Sequence, residues 1–194
     1  ADMLLNPGGP YNFNGEKRIY PDIKLVYWCG GNPFHHHQDL NRLAKAWQYP
    51  ETVIVHEPWW TATAERADIV FPATTQFERS DIGWAKGDPY LFYMPQMIPP
   101  VGLAKDDYDI FSELSKKLNC EENFTERKSS EEWIQNIYDK FYTQAISQGI
   151  NVADLETLKE KNFERMAIDL DGEDYVPFKD FRDDPLKCPL GTPS

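Results

Sequence analysis

The sequence predicts an α/β fold: a parallel sheet with flanking helices, plus a helical C-terminal part. Three observations predict it. Short apolar, β-branched runs at Ile23–Cys29, Thr52–His56 and Asp68–Ala73 alternate with helical patterns, as in βαβ units. Turn residues follow each run: Gly30-Gly31, Pro58 and Thr74-Thr75. From Asp107 onward, apolar residues recur at helical spacing.

The elements follow in order. Residues 1–21 are rich in Gly, Pro and Asn and read as an irregular lead-in. Residues 22–118 read as the sheet-bearing domain, 119–168 as a helical segment of the same domain, and 169–194 as an irregular exit. Ile23–Cys29 is almost continuously apolar, which suits a strand buried on both faces. Gly30-Gly31-Asn32-Pro33 breaks it. Leu40, Leu43, Ala44 and Trp47 carry a helix over 38–47. A second strand at Thr52–His56 leads through a Thr-bearing turn and a short helix to the third strand, which Pro72 ends. Residues 82–102 read as a long loop with a short strand at Tyr90–Met94. Ile110, Phe111, Leu114 and Leu118 stripe a helix over 107–118. Ser130–Gly149 opens on a Ser cap with acids in its first turn, and Trp133, Ile137, Phe141 and Ala145 repeat every four residues. A charged helix follows over 154–166.

Composition narrows the function. The 194 residues are 41% hydrophobic and 14% aromatic, a globular composition. A net charge of −12 gives no general electrostatic reason to bind nucleic acid. Cys29, Cys120 and Cys188 lie far apart without a CxxC pair, so neither a disulfide scaffold nor a zinc or iron–sulfur framework is expected. No run of about 18 apolar residues predicts a membrane span. The first residues carry neither the charged nor the apolar region of a signal peptide.

Ligands of open α/β sheets sit outside the carboxyl ends of the strands. Three loops hold such positions. In the first, two glycines before Asn32 let a phosphate approach the backbone, and the next helix offers free N–H groups. The same turn also serves as a plain strand-to-helix connection, because GxGxxG is absent. His35, His36 and His37 invite a metal, but helical neighbours do not share a face and no acid or Cys stands at a suggestive spacing, so no metal ligand is assigned. In the second loop His56 or Glu57 is placed to meet a ribose or base, or else faces water. Thr61 and Thr63 cap the next helix or bond a phosphate, with Trp59 and Trp60 expected to pack. In the third loop Glu78 and Arg79 offer an internal ion pair. Asp106, Asp107 and Asp109 precede a helix and complement its dipole. A carboxylate there can also accept the N1–H and N2–H edge of a guanine. Spacing alone argues no catalytic residue.

Three long motifs carry a resemblance: YWCGGNPFHHHQDLNRLAKAW, ETVIVHEPWWTATAERADIVFPATTQFERSDIG and DDYDIF. Residues 22–111 resemble the molybdopterin oxidoreductases of the dimethyl sulfoxide reductase type, above all the trimethylamine N-oxide, dimethyl sulfoxide and biotin sulfoxide reductases. The ending FRDDPLKCPLGTPS is similar to that family as well, and 119–175 match least. The resemblance implies a bacterial S-oxide or N-oxide reductase, periplasmic or cytoplasmic, with an electron donor and a molybdenum held by two molybdopterin guanine dinucleotides. It implies that this chain is much of one of two Rossmann-like dinucleotide-binding domains. Asn32, His36 and His56 would touch the cofactor, and Asp107 would grip the guanine edge. The family's serine ligand to molybdenum has no match in these residues, and neither does the cap domain that closes over the second pterin. The chain alone is therefore expected to be inactive and to hold no cofactor. The competing readings are a freestanding nucleotide- or partner-binding module and a His-rich metal-binding protein.

Overall fold

The structure is a computed structural model describing residues 1–85, 88–166, 176 and 178–188. The chain forms two compact units. The first holds Ala1–Tyr27, Pro33–Val53 and the described residues between 176 and 188; the second holds Trp28–Asn32 and the described residues from 54 to 166.

The first unit begins with α1 (Asp2–Leu5) and an antiparallel hairpin of β1 (Pro10–Phe13) and β2 (Glu16–Ile19). Asn14 and Gly15 form its two-residue turn, with φ of 49° and 77°. Asn-Gly tolerates two left-handed residues, which matches the twist of a hairpin. Tyr11 stacks on Tyr20 with ring centroids 4.3 Å apart. The lead-in over 1–21 is thus ordered secondary structure and not the irregular segment expected. Then come α2 (Pro33–His36) and α3 (Leu40–Ala46). The Asp39 carboxylate caps α3 by accepting from the Arg42 N–H at 2.9 Å. Phe34 meets Trp47 edge-on at 5.5 Å, beside buried Leu43 and Ala46.

A parallel three-stranded sheet runs in the order β3 (Leu25–Cys29), β4 (Thr52–Glu57), β5 (Ile69–Pro72). β4 pairs in parallel with β5, His56 opposite Phe71. Central β4 buries Val53, Val55 and His56. β3 is an outer strand: Leu25 is 52% exposed and Cys29 is exposed, so burial on both faces does not hold there. After β5, Ala73 bridges in parallel to Lys105, and the Thr74 N–H donates to the Lys105 carbonyl at 3.1 Å. That short ladder delivers the start of α4 (Asp107–Lys117) to the carboxyl end of β5.

The rest of the second unit holds a sheet that hydrophobic periodicity did not reveal. β6 (Asp81–Gly83), β7 (Tyr90–Met94) and β8 (Phe163–Arg165) pair antiparallel in that order. They accompany α5 (Glu121–Thr125), α6 (Ser130–Ser147) and α7 (Leu155–Lys161). Leu91, Ile134, Tyr138, Leu155 and Leu158 form one buried apolar cluster, and Ala145, Val152 and Met166 form another. A capping box starts α6, with Ser129 and Glu132 each bonding the other's backbone N–H. Of the stripe expected on α6, Ala145 is buried and Phe141 packs on the core, while the first half is displaced. Ile134 and Tyr138 are buried while Ile137 is 52% exposed. Four-residue steps drift by about 40° each on a 3.6-residue helix, so a strict i, i+4 series cannot stay on one face. The helix expected over 154–166 stops at Lys161. Asn162 turns left-handed with φ 63°, and its carbonyl accepts from the Tyr93 N–H at 2.9 Å, which passes the chain into β8. Of the exit segment expected to be irregular, Lys179–Asp183 is helical (α8), 184–188 are not helical, and 169–175, 177 and 189–194 lie outside the described residues. Among the described residues no helix is long and apolar enough to cross a membrane.

Candidate functional site

The polar side chains gather where β3, β4 and β5 end. His56, the next-to-last residue of β4, lies with its ring against Phe111 at 4.9 Å and edge-on to Phe71 at 5.7 Å. Its side chain is 1% exposed, and Nδ1 stands 2.6 Å from Oδ1 of Asp107, whose side chain is 53% exposed. An ionised carboxylate only accepts, so Nδ1 carries the proton of that bond. Asp107 is the first residue of α4, where the helix dipole favours negative charge. Its neighbour Asp106 sits at the cap position without capping; it accepts instead from the Thr74 hydroxyl at 2.6 Å. The two adjacent carboxylates are therefore tied to two different strand ends.

Asn32 follows β3. Its side-chain carbonyl accepts from the hydroxyl of fully buried Thr63. Gly30 and Gly31 have φ of 78° and 69°, with open space where a Cβ would stand. Left-handed backbone at both positions is what glycine allows at little cost. Burial, and then the Asp107 carboxylate, push the Cys29 thiol above its ordinary range, although the residue as a whole is exposed. His35, His36 and His37 are exposed at and just past the end of α2, in the first unit. Among the described residues no group of three or more His, Cys, Asp or Glu is arranged to hold a metal.

Asp107, Asp106, Asp81, Arg79, Tyr108 and Trp133 line part of one open cleft of ≈ 280 Å³. Arg79 donates to the Thr74 carbonyl at 3.0 Å and meets Asp81 at 3.5 Å. It forms no pair with Glu78, contrary to expectation. Glu78 is buried and accepts from the Thr75 N–H, the Thr75 hydroxyl and the Val101 N–H, each at 2.7 Å. Those bonds hold its carboxyl below the usual range. Thr61 does cap: its hydroxyl accepts from the Ala64 N–H at 3.3 Å while donating to Glu57 at 3.0 Å. Trp59 and Trp60 do not pack; they are 67% and 77% exposed.

Among the predicted site residues, the fold brings His56 and Asp107 together. It ties Asn32 to Thr63, and it leaves His36 exposed on α2. Thr63, Thr74 and Asp106 support these positions and were not singled out as a set. Their partners are 31 and 32 residues away, beyond any local pattern.

The class, then, is an α/β domain whose polar pairs sit at the carboxyl ends of parallel strands. Residues 10–117 match the family model described as Molybdopterin oxidoreductase, and the chain belongs to that family. It is 47% identical over its full length to the biotin sulfoxide reductase of Cereibacter sphaeroides, of which it covers 26%. It is 45% identical over its full length to the dimethyl sulfoxide/trimethylamine N-oxide reductase of the same organism, covering 24%. To the trimethylamine-N-oxide reductase of Haemophilus influenzae it is again 45% identical over its full length, covering 24%. The chain thus spans about a quarter of the length of these relatives. In fold it is similar to the acetylene hydratase of Pelobacter acetylenicus, with a TM-score of 0.56 and 20% identity over 82% of this chain and 20% of that one.

Proposed function

We propose that the chain is a Rossmann-like cofactor-binding part of a molybdenum-dependent S-oxide or N-oxide reductase, and that it holds one guanine end of a bis(molybdopterin guanine dinucleotide). The observation that carries this reading is the Asp107 carboxylate. It is half-exposed, lines a cleft, and is held from behind by a buried imidazole. Guanine offers two parallel N–H donors on one edge, and a carboxylate accepts both. Asn32, half-buried and tied to Thr63, stands beside two glycines that let a ligand approach the backbone. His36, exposed on α2 in the first unit, is a cofactor contact by the family resemblance alone. These groups fit the guanine-bearing end of such a cofactor and offer it no metal ligand. When bound, the cofactor supplies the two-electron redox chemistry by which an oxide loses its oxygen atom. The residues of this chain bind and orient.

Calorimetric titration with GDP tests the reading. The whole cofactor is not expected to stay on this chain alone, but its guanine end meets groups of this chain only, so GDP is expected to bind and Asp107→Asn to weaken binding by about tenfold or more, the loss of a charge-assisted acceptor. With reduced viologen the chain alone is expected to reduce neither trimethylamine N-oxide nor dimethyl sulfoxide. Turnover by this chain, or a longer protein purified without molybdenum and a guanine-bearing pterin, would overturn the proposal.

A further inference from the structure

We infer that His56 is a positioning residue: it acts through Asp107 to set the preference for guanine over a purine that lacks the 2-amino group. The inference rests on the reading of Asp107 as the guanine acceptor and goes one residue further back.

Exposure of the two partners is lopsided. The imidazole is 1% exposed, and the carboxylate it bonds is 53% exposed. A ligand in the cleft meets Asp107, and His56 stands behind it. Phe71 and Phe111 fix the ring plane, so the direction of the Nδ1–H is set by packing and not by the ligand. One lone pair of Oδ1 is engaged by that proton. The remaining lone pairs of Oδ1 and all those of Oδ2 stay available. Thr74 pins the preceding residue at the same time through Asp106. The carboxylate plane is thereby preset, and a ligand does not need to order it.

Preorganisation of this kind separates ligands by their donors. Guanine presents N1–H and N2–H at the spacing of two carboxylate oxygens. Hypoxanthine presents N1–H alone. A carboxylate free to turn re-aims at the single donor and recovers part of the loss. A held carboxylate does not, so holding it penalises hypoxanthine.

The test titrates the full chain with GDP and with IDP. In the unsubstituted chain GDP is expected to bind at least about tenfold more tightly than IDP, the worth of one charge-assisted bond. His56→Leu is expected to lose most of that ratio, chiefly through weaker GDP binding. His56→Asn places an amide N–H where Nδ1–H stood and is expected to restore it. A residue that only packed would move both affinities alike and leave the ratio unchanged. A ratio preserved in His56→Leu overturns the positioning role while leaving the function intact. An unsubstituted chain that ignores GDP overturns the function and this inference together. If His56→Leu fails to fold, nitrogen-resolved NMR of the unsubstituted chain decides: a proton on Nδ1 supports the role, and an unprotonated Nδ1 overturns it.

Discussion

Leu91 on β7 and His56 on β4 are about equally buried, at 3% and 5% exposure, yet their surroundings differ in kind. Leu91 clusters with Ile134 and Tyr138 of α6 and Leu155 and Leu158 of α7. His56 meets two aromatic rings and a carboxylate. The first neighbourhood is apolar and close-packed, and its energetics are those of transfer from water. The second buries a polar ring at the edge of a cleft, where a hydrogen bond fixes an exposed acid. The difference teaches that burial alone does not mark the site. A buried polar group whose partner is exposed does.

The largest expected effect falls on the apolar side. Leu158 is fully buried, so Leu158→Ala should lower stability by about 2–5 kcal/mol through lost transfer energy and a residual cavity. Chemical denaturation measures it, and GDP affinity of the folded protein should change less than twofold. A stability loss below about 1 kcal/mol would mean that this cluster is not the core. Next comes Tyr138→Phe, which strands the Ala153 carbonyl that the phenol bonds at 2.8 Å. It should cost about 1–2 kcal/mol. Burial, helped by Glu164, pushes the Tyr138 phenol up to about 12. A raised acid favours the fold in its neutral form. Its contribution is complete below the ordinary value of 10.0 and disappears as pH climbs toward about 12. Melting temperatures between those limits should therefore fall less steeply with pH in Tyr138→Phe than in the unsubstituted chain.

Ser129→Ala breaks the capping box of α6 and should cost about 1 kcal/mol, with no change in nucleotide binding. The last effect is read as a pH dependence, at the loop beside the cleft. The Glu78 carboxyl is held below its ordinary 4.5, so its contribution is present above that value and is lost as pH falls through the folded value. Glu78→Gln should flatten the acid limb of the stability curve. An unchanged limb would show that its three bonds carry no weight in the fold.

Much of the parallel half was legible along the chain. Short β-branched runs ending in turn residues specify buried strands, and central β4 reads cleanly because it is hydrophobic on both faces. The antiparallel half was not legible. β8 is three residues long, and its pairing of Phe163 with Phe92 spans 71 positions, so nothing local announces it. The Asn-Gly hairpin at Asn14 was legible in principle, because the dipeptide is a strong turn signal, but a Gly- and Pro-rich composition masked it. Three adjacent histidines drew attention in the sequence and are exposed, whereas the single His56 is the one that the fold buries and pairs.

What the sequence determined by itself was the class of the sheet, the residue types at its strand ends, and the resemblance that names the family, because periodicity and motifs are local and survive without coordinates. Tertiary structure alone decided that His56 would meet Asp107 and that Thr74 would take the Asp106 carboxylate. Such partners lie dozens of residues apart, and only the packing of parallel strand ends against the start of a helix determines which acid each one holds.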